Sequence, residues 1–371
     1  MLKSIEMKGY RCFEQYKLGG LSRVNLLVGK NNCGKTALLE AIWLAVSEGE
    51  PSVLFQIAER RGEVESLGNG PNAAAMLKSY KPSYNHFFNG HEIDLGMSFS
   101  VCSEQQSGLT NLVSFTVDDA VDPGLRSELQ SYAIADTSPG KLYLLISNSN
   151  DASARTAIPL GLGDTRVFYI PSHRQRELAN KKTPVAQFTA PEFVRTIALR
   201  LKWDKVLSDG RKSDVIKAMQ ILSPDITDID FLSSDIGYSA SGSVLMAFNS
   251  GERVPLGTLG DGMRYLLGLA ISLVYADGGV LLVDEIDTGL HYSIMGDLWR
   301  LVVETAKKRD IQVFATTHSL DCVRGLAWLC DNYPDLKNEV SLQKIDPGIN
   351  KSIDIDADGI VLAVEEDMEV R

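Results

Sequence analysis

One glycine-rich loop constrains the fold of this chain more than any other feature. Residues 29–36 read Gly-Lys-Asn-Asn-Cys-Gly-Lys-Thr, between the apolar run Val24–Val28 and the apolar-periodic run Ala37–Ile42. The pattern predicts a buried strand, a tight loop and a helix. Glycines let the backbone approach a phosphate closely, while loop N–H groups and the helix N-terminus supply positive potential. The loop is therefore predicted to bind a nucleotide phosphate; the spacing and both flanking elements disfavour a chance strand–turn–helix.

The side chains of this loop have distinct predicted roles. Lys35 is expected to reach the outer phosphates and to take part in catalysis, and Thr36 is expected to ligate Mg²⁺. The predicted nucleotide-contacting residues of the loop are Gly29, Asn31, Asn32, Cys33, Gly34, Lys35 and Thr36.

A second run, Val280–Val283, is apolar and ends in the acidic pair Asp284 and Glu285. Alone it is weak evidence, because many buried strands of parallel sheets end in an acidic residue. Beside a phosphate loop the pair has a chemical use. Asp284 would hold the Mg²⁺, and Glu285 would orient or deprotonate the water that attacks the γ-phosphate.

Two further motifs lie on either side of the acidic strand. Gly260-Asp261-Gly262 precedes it, ahead of a helix predicted to open at Gly262, and His318 follows it, directly after a strand that ends near Ala315. Singly, a glycine turn is an ordinary helix cap, and a lone histidine is more often a satisfied core residue. His318, however, stands at the carboxyl end of a strand, where ligands collect in α/β folds. The four motifs in one order support one another.

This order of motifs resembles that of the ABC-type P-loop ATPases. Residues 9–13 (Gly-Tyr-Arg-Cys-Phe), residues 259–264 (Leu-Gly-Asp-Gly-Met-Arg) and the Asp-Glu-Ile-Asp run at 284–287 narrow the resemblance to the RecF/SMC/OLD-type group. The sequence is most similar to the OLD-like ATPases of bacterial antiphage systems, an AAA15/AAA21-like group. The resemblance covers roughly residues 1–45 and 255–345.

The resemblance implies ligands, a partner and residue roles. It implies ATP and Mg²⁺ as cofactors, and a second copy of the chain whose Gly260, Asp261 and Gly262 cap the bound nucleotide. Glu285 and His318 would be catalytic, with His318 stabilising the transferred charge.

The glycine turn, which stands where the family has its signature motif, departs from the Leu-Ser-Gly-Gly-Gln of transporter ATPases. Gly260, Asp261 and Met263 replace the serine, the first glycine and the glutamine, so N–H groups at the helix start are left as the expected phosphate contact. The departure disfavours a transporter, and the lack of a sustained heptad run between Thr36 and Leu259 disfavours an SMC-type coiled coil. Gln56 and Gln175 are candidates for the family's Q-loop glutamine, although each is more typical of a surface residue.

Composition limits the remaining choices. The chain has 371 residues, enough for two lobes, and a net charge of −11, which argues against coating DNA by bulk electrostatics. Its five scattered cysteines predict free thiols. No apolar stretch is long enough to span a membrane, and the amino terminus lacks the apolar segment of a secretory signal, so a cytoplasmic location is expected.

The predicted fold class is α/β: an ABC-type ATPase head whose P-loop core has a mixed or parallel sheet, with an antiparallel β lobe and a helical insertion. The predicted parts are an N-terminal ATPase lobe with the β subdomain (1–173), the helical insertion (174–235) and a C-terminal ATPase lobe (236–371). Predicted strands lie within 92–101, 112–117, 141–147, 166–171 and 236–239, and predicted helices lie within 192–201 and 213–222.

The tail is predicted to be rich in strands. An alternating strand there would place Asp354, Asp356 and Asp358 on one face. A solvated hairpin edge explains these three aspartates better than a metal cluster does.

The leading functional hypothesis is the ATPase subunit of a two-component bacterial antiphage defence complex. It would form ATP-dependent dimers or higher oligomers that scaffold or control a separately encoded effector, such as a TOPRIM or HNH nuclease. The alternative is a RecF-like repair or recombination ATPase that clamps DNA, which the acidic net charge disfavours. A transport ATPase recruited to a membrane partner is the least favoured hypothesis.

Overall fold

The computed structural model describes residues 1–66, 80–119, 142–160, 186–189, 197–232 and 244–369. The chain forms two compact units. The first, which we call the P-loop unit, comprises Met1, Gly19–Leu39 and Val185–Arg371; the second, the β unit, comprises Leu2–Leu18 and Glu40–Pro184. All the predicted site residues fall in the P-loop unit. The three-part division of the chain stays a prediction.

Strands and helices are numbered in chain order. The strands are β1 (Leu2–Tyr10), β2 (Phe13–Leu18), β3 (Val24–Val28), β4 (Val64–Ser66), β5 (Tyr80–Pro82), β6 (Ser98–Gln105), β7 (Thr110–Asp118), β8 (Tyr143–Asn148), β9 (Asp151–Pro159), β10 (Ala186–Thr189), β11 (Ile226–Phe231), β12 (Val244–Phe248), β13 (Arg253–Pro255), β14 (Val280–Val283), β15 (Gln312–Thr316), β16 (Val340–Lys344) and β17 (Ile353–Ile355). The α-helices are α1 (Lys35–Val46), α2 (Pro51–Arg60), α3 (Ile197–Ser208), α4 (Lys212–Gln220), α5 (Gly260–Tyr275), α6 (Met295–Arg309), α7 (Leu320–Asn332) and α8 (Ala357–Glu365).

The P-loop unit is built on a sheet with the strand order β10-β14-β15-β3-β16-β17. Its pairings are parallel from β10 to β16, and β17 runs antiparallel to β16. Every residue of β3, β14 and β15 is buried, as expected for strands covered on both faces. Because these three strands are parallel neighbours, the loops at their carboxyl ends share one edge of the sheet.

Most of helix α5 is enclosed by other elements of this unit. It has 16 residues, and all those from Tyr265 to Val274 are buried. It packs against α3, α4 and α6 and touches β10, which accounts for apolar residues on all its sides. Helices α3 and α4 and the antiparallel sheet β11-β12-β13 complete the unit, with the rings of Trp203 and Phe231 stacked at 4.6 Å between centroids.

The β unit is an antiparallel sheet with the order β2-β1-β6-β7-β8-β9. Its strands alternate buried and accessible residues, because one face covers the core and the other faces solvent. The rings of Phe99 and Phe115 stack on the buried face at 4.3 Å between centroids.

A buried ion network also lies in the β unit. Glu40 of α1 accepts from Arg11 Nε and Arg61 Nε, each at 2.7 Å, and Arg11 pairs in addition with Glu63 at 2.7 Å. The side chains of Arg11 and Glu40 are 7% and 2% exposed.

The α/β class, the mixed sheet and the antiparallel lobe are confirmed. The five cysteines are free thiols, as predicted. No helix of the described residues combines the length and apolar character that a membrane crossing needs. The predicted strands at 166–171 and 236–239 lie outside the described residues.

Three local predictions were wrong. Strand β6 begins at Ser98 rather than at 92, and α5 begins at Gly260 rather than at Gly262. The aspartate-rich tail is not one alternating strand, because β17 ends at Ile355 and α8 follows. Asp356 caps that helix by accepting from the Gly359 N–H at 2.8 Å, as N-terminal aspartates commonly do.

Candidate active site

The predicted loop, acidic pair and histidine follow three neighbouring strands and lie at one edge of the central sheet. Strand β3 runs into the 29–36 loop, β14 into Asp284 and Glu285, and β15 into Thr317 and His318. The structure therefore brings together the phosphate loop, the acidic pair and the histidine, although the loop is separated from the other two by more than two hundred residues of sequence.

The 29–36 loop closes on its own lysine. Lys35 Nζ donates to the carbonyl oxygens of Gly29 at 2.7 Å and Lys30 at 2.9 Å, and it lies 3.8 Å from Cys33 Sγ. Burial lowers the pKa of Lys35, while nearby Cys33, Asp284 and Glu285 oppose that shift.

The first glycine of the loop is sterically required. A Cβ on Gly29 would lie 2.7 Å from both the Ile345 carbonyl oxygen and Cys33 Sγ. Asn32, with φ +59°, and Gly34, with φ +97°, adopt left-handed backbone conformations that fold the loop back on itself.

Asp284 stands at the centre of a hydroxyl cluster. Its Oδ1 accepts from Thr316 Oγ1 at 2.6 Å and from Thr36 Oγ1 at 3.4 Å. A threonine hydroxyl and a carboxylate are the hard oxygen ligands that Mg²⁺ prefers, so the predicted metal ligands Thr36 and Asp284 fit that ion.

The backbone of Glu285 is in a strained conformation. Its φ is +52°, unusual for a non-glycine residue, and its N–H donates to Thr316 Oγ1 at 2.8 Å. Thr288 Oγ1 donates to Glu285 Oε2 at 3.1 Å, and His318 Nε2 lies 4.0 Å from Oε1. The side chains of Glu285 and His318 are 53% and 43% exposed, so both reach solvent.

Two functional contacts were missed in the sequence. Thr316 joins Asp284 to the Glu285 backbone, and Thr317 Oγ1 donates to Asp287 Oδ1 at 2.6 Å. The available signal was a pair of threonines where β15 ends, next to His318.

The glycine turn lies at the start of α5. Gly260 has φ +89° with open space around its Cβ position, and Asp261 is exposed and paired with Arg264 at 2.9 Å. No side chain of the described stretch caps the N-terminus of α5. A Cβ on Gly262 would lie 3.5 Å from Leu290 Cδ2, so the turn packs beside the loop that follows the acidic pair.

Other candidates have structural contacts. Asp354 accepts from Gln343 Nε2 at 2.7 Å, and Asp358 pairs with Lys337 at 3.1 Å. No cluster suited to a metal ion occurs among the described His, Cys, Asp and Glu residues. Gln56 is exposed on α2 and donates to the Ser52 carbonyl at 3.2 Å, and Gln175 lies outside the described residues.

Two family models match the chain. The model described as "AAA ATPase domain" matches residues 1–161, and the model described as "AAA domain, putative AbiEii toxin, Type IV TA system" matches residues 145–321.

Known proteins resemble the chain as well. A Helicobacter pylori protein described as an ATP/GTP phosphatase is 22% identical over 336 residues, covering 88% of this chain and 87% of that protein. Among solved structures, the SMC head domain from Thermotoga maritima is 12% identical with a TM-score of 0.45, covering 96% of this chain and 98% of its own. An SMC head bound to the C-winged helix domain of ScpA is 12% identical with a TM-score of 0.48 and the same coverage.

A phosphate loop whose threonine touches the acidic residue that ends another strand of the same parallel sheet is the arrangement of a P-loop ATPase. The two AAA models match residues 1–161 and 145–321, so the chain is similar to the AAA P-loop ATPases that they describe. This confirms the AAA15/AAA21-like group predicted from the motifs.

Proposed function

We propose that the chain binds ATP with Mg²⁺ at this site, hydrolyses it, and completes the site with a second copy of itself. The observation that carries the proposal is the convergence of Lys35, Thr36, Asp284 and Glu285 at the carboxyl ends of β3 and β14, which lie on either side of β15.

The chemistry follows from the position of each group. Lys35 and the loop N–H groups hold the β- and γ-phosphates. Glu285 takes a proton from a water molecule, and the water oxygen forms a bond to the γ-phosphorus. At the same time the bond between the γ-phosphorus and the bridging oxygen breaks, and ADP leaves with the electrons of that bond. His318 stabilises charge on the transferred phosphoryl group. Thr36 and Asp284 would hold Mg²⁺, which would neutralise part of the phosphate charge when bound.

In the proposed dimer, the start of α5 in one copy covers the γ-phosphate bound by the other copy. The N-terminus of α5 has no side-chain cap within the described residues, and the Gly260 turn leaves room for a ligand. Free N–H groups at a helix start bind anions. We place this turn of one copy over the γ-phosphate held by the other, with Arg264 offsetting the charge of Asp261.

We further propose that the ATPase is one component of a two-component antiphage defence complex. A family model whose description includes a type IV toxin–antitoxin system supports this, because such a system pairs two components. The ATP-dependent dimer would hold or control a separately encoded effector, such as a TOPRIM or HNH nuclease.

The test of hydrolysis uses two variants that separate binding from chemistry. Glu285→Gln keeps the shape of the side chain but removes its basicity, so we expect retained ATP binding, a kcat lowered at least about 100-fold, and an ATP-dependent dimer in light scattering. Lys35→Ala should weaken nucleotide binding itself. Wild-type hydrolysis rates in Glu285→Gln would contradict the catalytic assignment.

The test of the complex is co-purification from the native operon. A tagged Glu285→Gln chain in ATP should retain the product of an adjacent gene, and Lys35→Ala should release it. A chain that purifies alone in both forms would remove the two-component hypothesis. Steeply salt-dependent DNA binding that requires ATP would favour the RecF-like alternative instead.

A further inference from the structure

A buried phenol stands on α5 beside the site. Tyr265 is 6% exposed, and its hydroxyl oxygen is fully buried without a hydrogen-bond partner in the described part of the chain. Burial raises the pKa of Tyr265, and the charges of Asp287, Cys322, Asp284 and Glu285 raise it further. The hydroxyl is therefore a neutral donor.

An unpartnered buried hydroxyl is unfavourable for folding. Phenylalanine would fill the same space without the cost of desolvating an O–H group. A tyrosine at this position thus suggests that the hydroxyl gains a partner in another state of the protein.

An acceptor with spare capacity lies in the loop beside which the first turn of α5 packs, where the Leu290 N–H donates to the Asp287 carbonyl oxygen at 3.1 Å. Asp287 accepts from Thr317 Oγ1 through Oδ1, and its Oδ2 accepts nothing from a described residue. Asp287 follows Asp284 and Glu285 in the same loop, and the Thr317 hydroxyl also accepts from the Ser319 N–H at 2.9 Å. A hydrogen bond from Tyr265 to Asp287 would therefore join α5 to the loops that follow β14 and β15.

Helix α5 is connected to that loop at its first turn. The Cβ position of Gly262 is 3.5 Å from Leu290 Cδ2 and 3.8 Å from the Gly289 carbonyl oxygen. Tyr265 lies three residues further along the same face of the helix. A small shift of α5 relative to the loop would move the phenol and the carboxylate with respect to each other.

We propose that Tyr265 is a positioning residue whose hydroxyl donates to Asp287 Oδ2 when a second copy engages the Gly260–Gly262 turn. The hydrogen bond then holds the loop that carries Glu285 in its hydrolytic position. This inference rests on the proposed function, because it assigns the trigger to assembly around ATP.

The test is Tyr265→Phe, which removes only the hydroxyl. The matched control is Tyr275→Phe, at the other end of the same helix. In Tyr265→Phe we expect a thermal midpoint equal to or above that of the wild type and a KM for ATP within twofold. We expect kcat to fall about tenfold, the factor for one hydrogen bond to a charged group worth about 1.4 kcal/mol. A merely structural role would leave kcat unchanged.

A double-mutant cycle identifies the partner. If Tyr265 acts through Asp287, the effects of Tyr265→Phe and Asp287→Asn on kcat will be less than multiplicative when combined. Independent effects, an unchanged kcat or a lowered midpoint in Tyr265→Phe would each overturn the proposal. Wild type and Tyr275→Phe are measured in parallel: if neither hydrolyses ATP, the proposed function fails as well, whereas normal rates confine any failure to Tyr265.

Discussion

Thr316→Val should damage both the fold of the site and its chemistry. Thr316 is 1% exposed, and its hydroxyl makes two contacts: it donates to Asp284 Oδ1 at 2.6 Å and accepts from the Glu285 N–H at 2.8 Å. Valine has nearly the same shape but neither contact. A hydrogen bond to a charged group is worth about 1.5–3 kcal/mol, and an unsatisfied buried N–H costs about 1–3 kcal/mol.

Because both hydrogen bonds depend on the same hydroxyl, their two energies are not fully additive. We expect the free energy of unfolding to fall by about 2–4 kcal/mol. Because Glu285 loses its backbone anchor, kcat at saturating ATP should fall at least about tenfold. Chemical denaturation and steady-state phosphate release measure the two effects.

The control for this prediction is Thr305→Val. Thr305 is a buried threonine on α6, in the half of the helix that leads to the amino end of β15, opposite the site. The variant Thr305→Val should leave kcat unchanged. If Thr316→Val kept wild-type stability and kcat, the hydroxyl cluster around Asp284 would not support catalysis.

Two further predictions concern other parts of the chain. Gly29→Ala should abolish ATP binding in a fluorescent-nucleotide titration, because its Cβ would lie 2.7 Å from the Ile345 carbonyl oxygen, whereas Gly19→Ala, with nothing within 4 Å, should bind normally. Near-normal binding by Gly29→Ala would contradict the close approach. Glu40→Gln should destabilise the β unit by about 3–5 kcal/mol in urea, because it removes the buried negative charge that pairs with two arginines. The surface variant Glu104→Gln should change little, and equal effects of the two would refute the argument.

The phosphate loop and the acidic pair could be predicted because their chemistry is local. A glycine spacing between a strand and a helix specifies the loop by itself, and an apolar run that ends in two acids specifies the strand end. Their contact, between Thr36 and Asp284 at 3.4 Å, spans the intervening strand β15 and required that β3 and β14 belong to one parallel sheet with their carboxyl ends at the same edge.

Thr316 could not be assigned a role in the same way. Its function depends on the two groups that its hydroxyl meets, and both belong to a loop from a different strand. Nothing in its immediate sequence distinguishes it from an ordinary strand residue, so its role requires the tertiary structure.

The tail shows how a local signal can be misjudged. The alternation Asp354-Ile355-Asp356 is typical of a strand, and β17 does form up to Ile355. The competing signal is a helix start, in which Asp356 caps an apolar run that becomes α8. Capping prevails there, and each aspartate takes a different structural partner.

The central claim, that each ATP site is shared by two copies, can be tested by mixing two inactive variants. Lys35→Ala removes the lysine that we propose binds phosphate but leaves the glycine turn intact. Gly262→Glu has space for its Cβ, and its charge suits a helix N-terminus but repels a γ-phosphate, so this variant should fold and bind ATP in its own loop. In a mixed pair, one site combines an intact loop with an intact turn. We predict that the mixture hydrolyses ATP well above the sum of the two variants measured separately; a mixture that merely equals that sum would contradict the shared site.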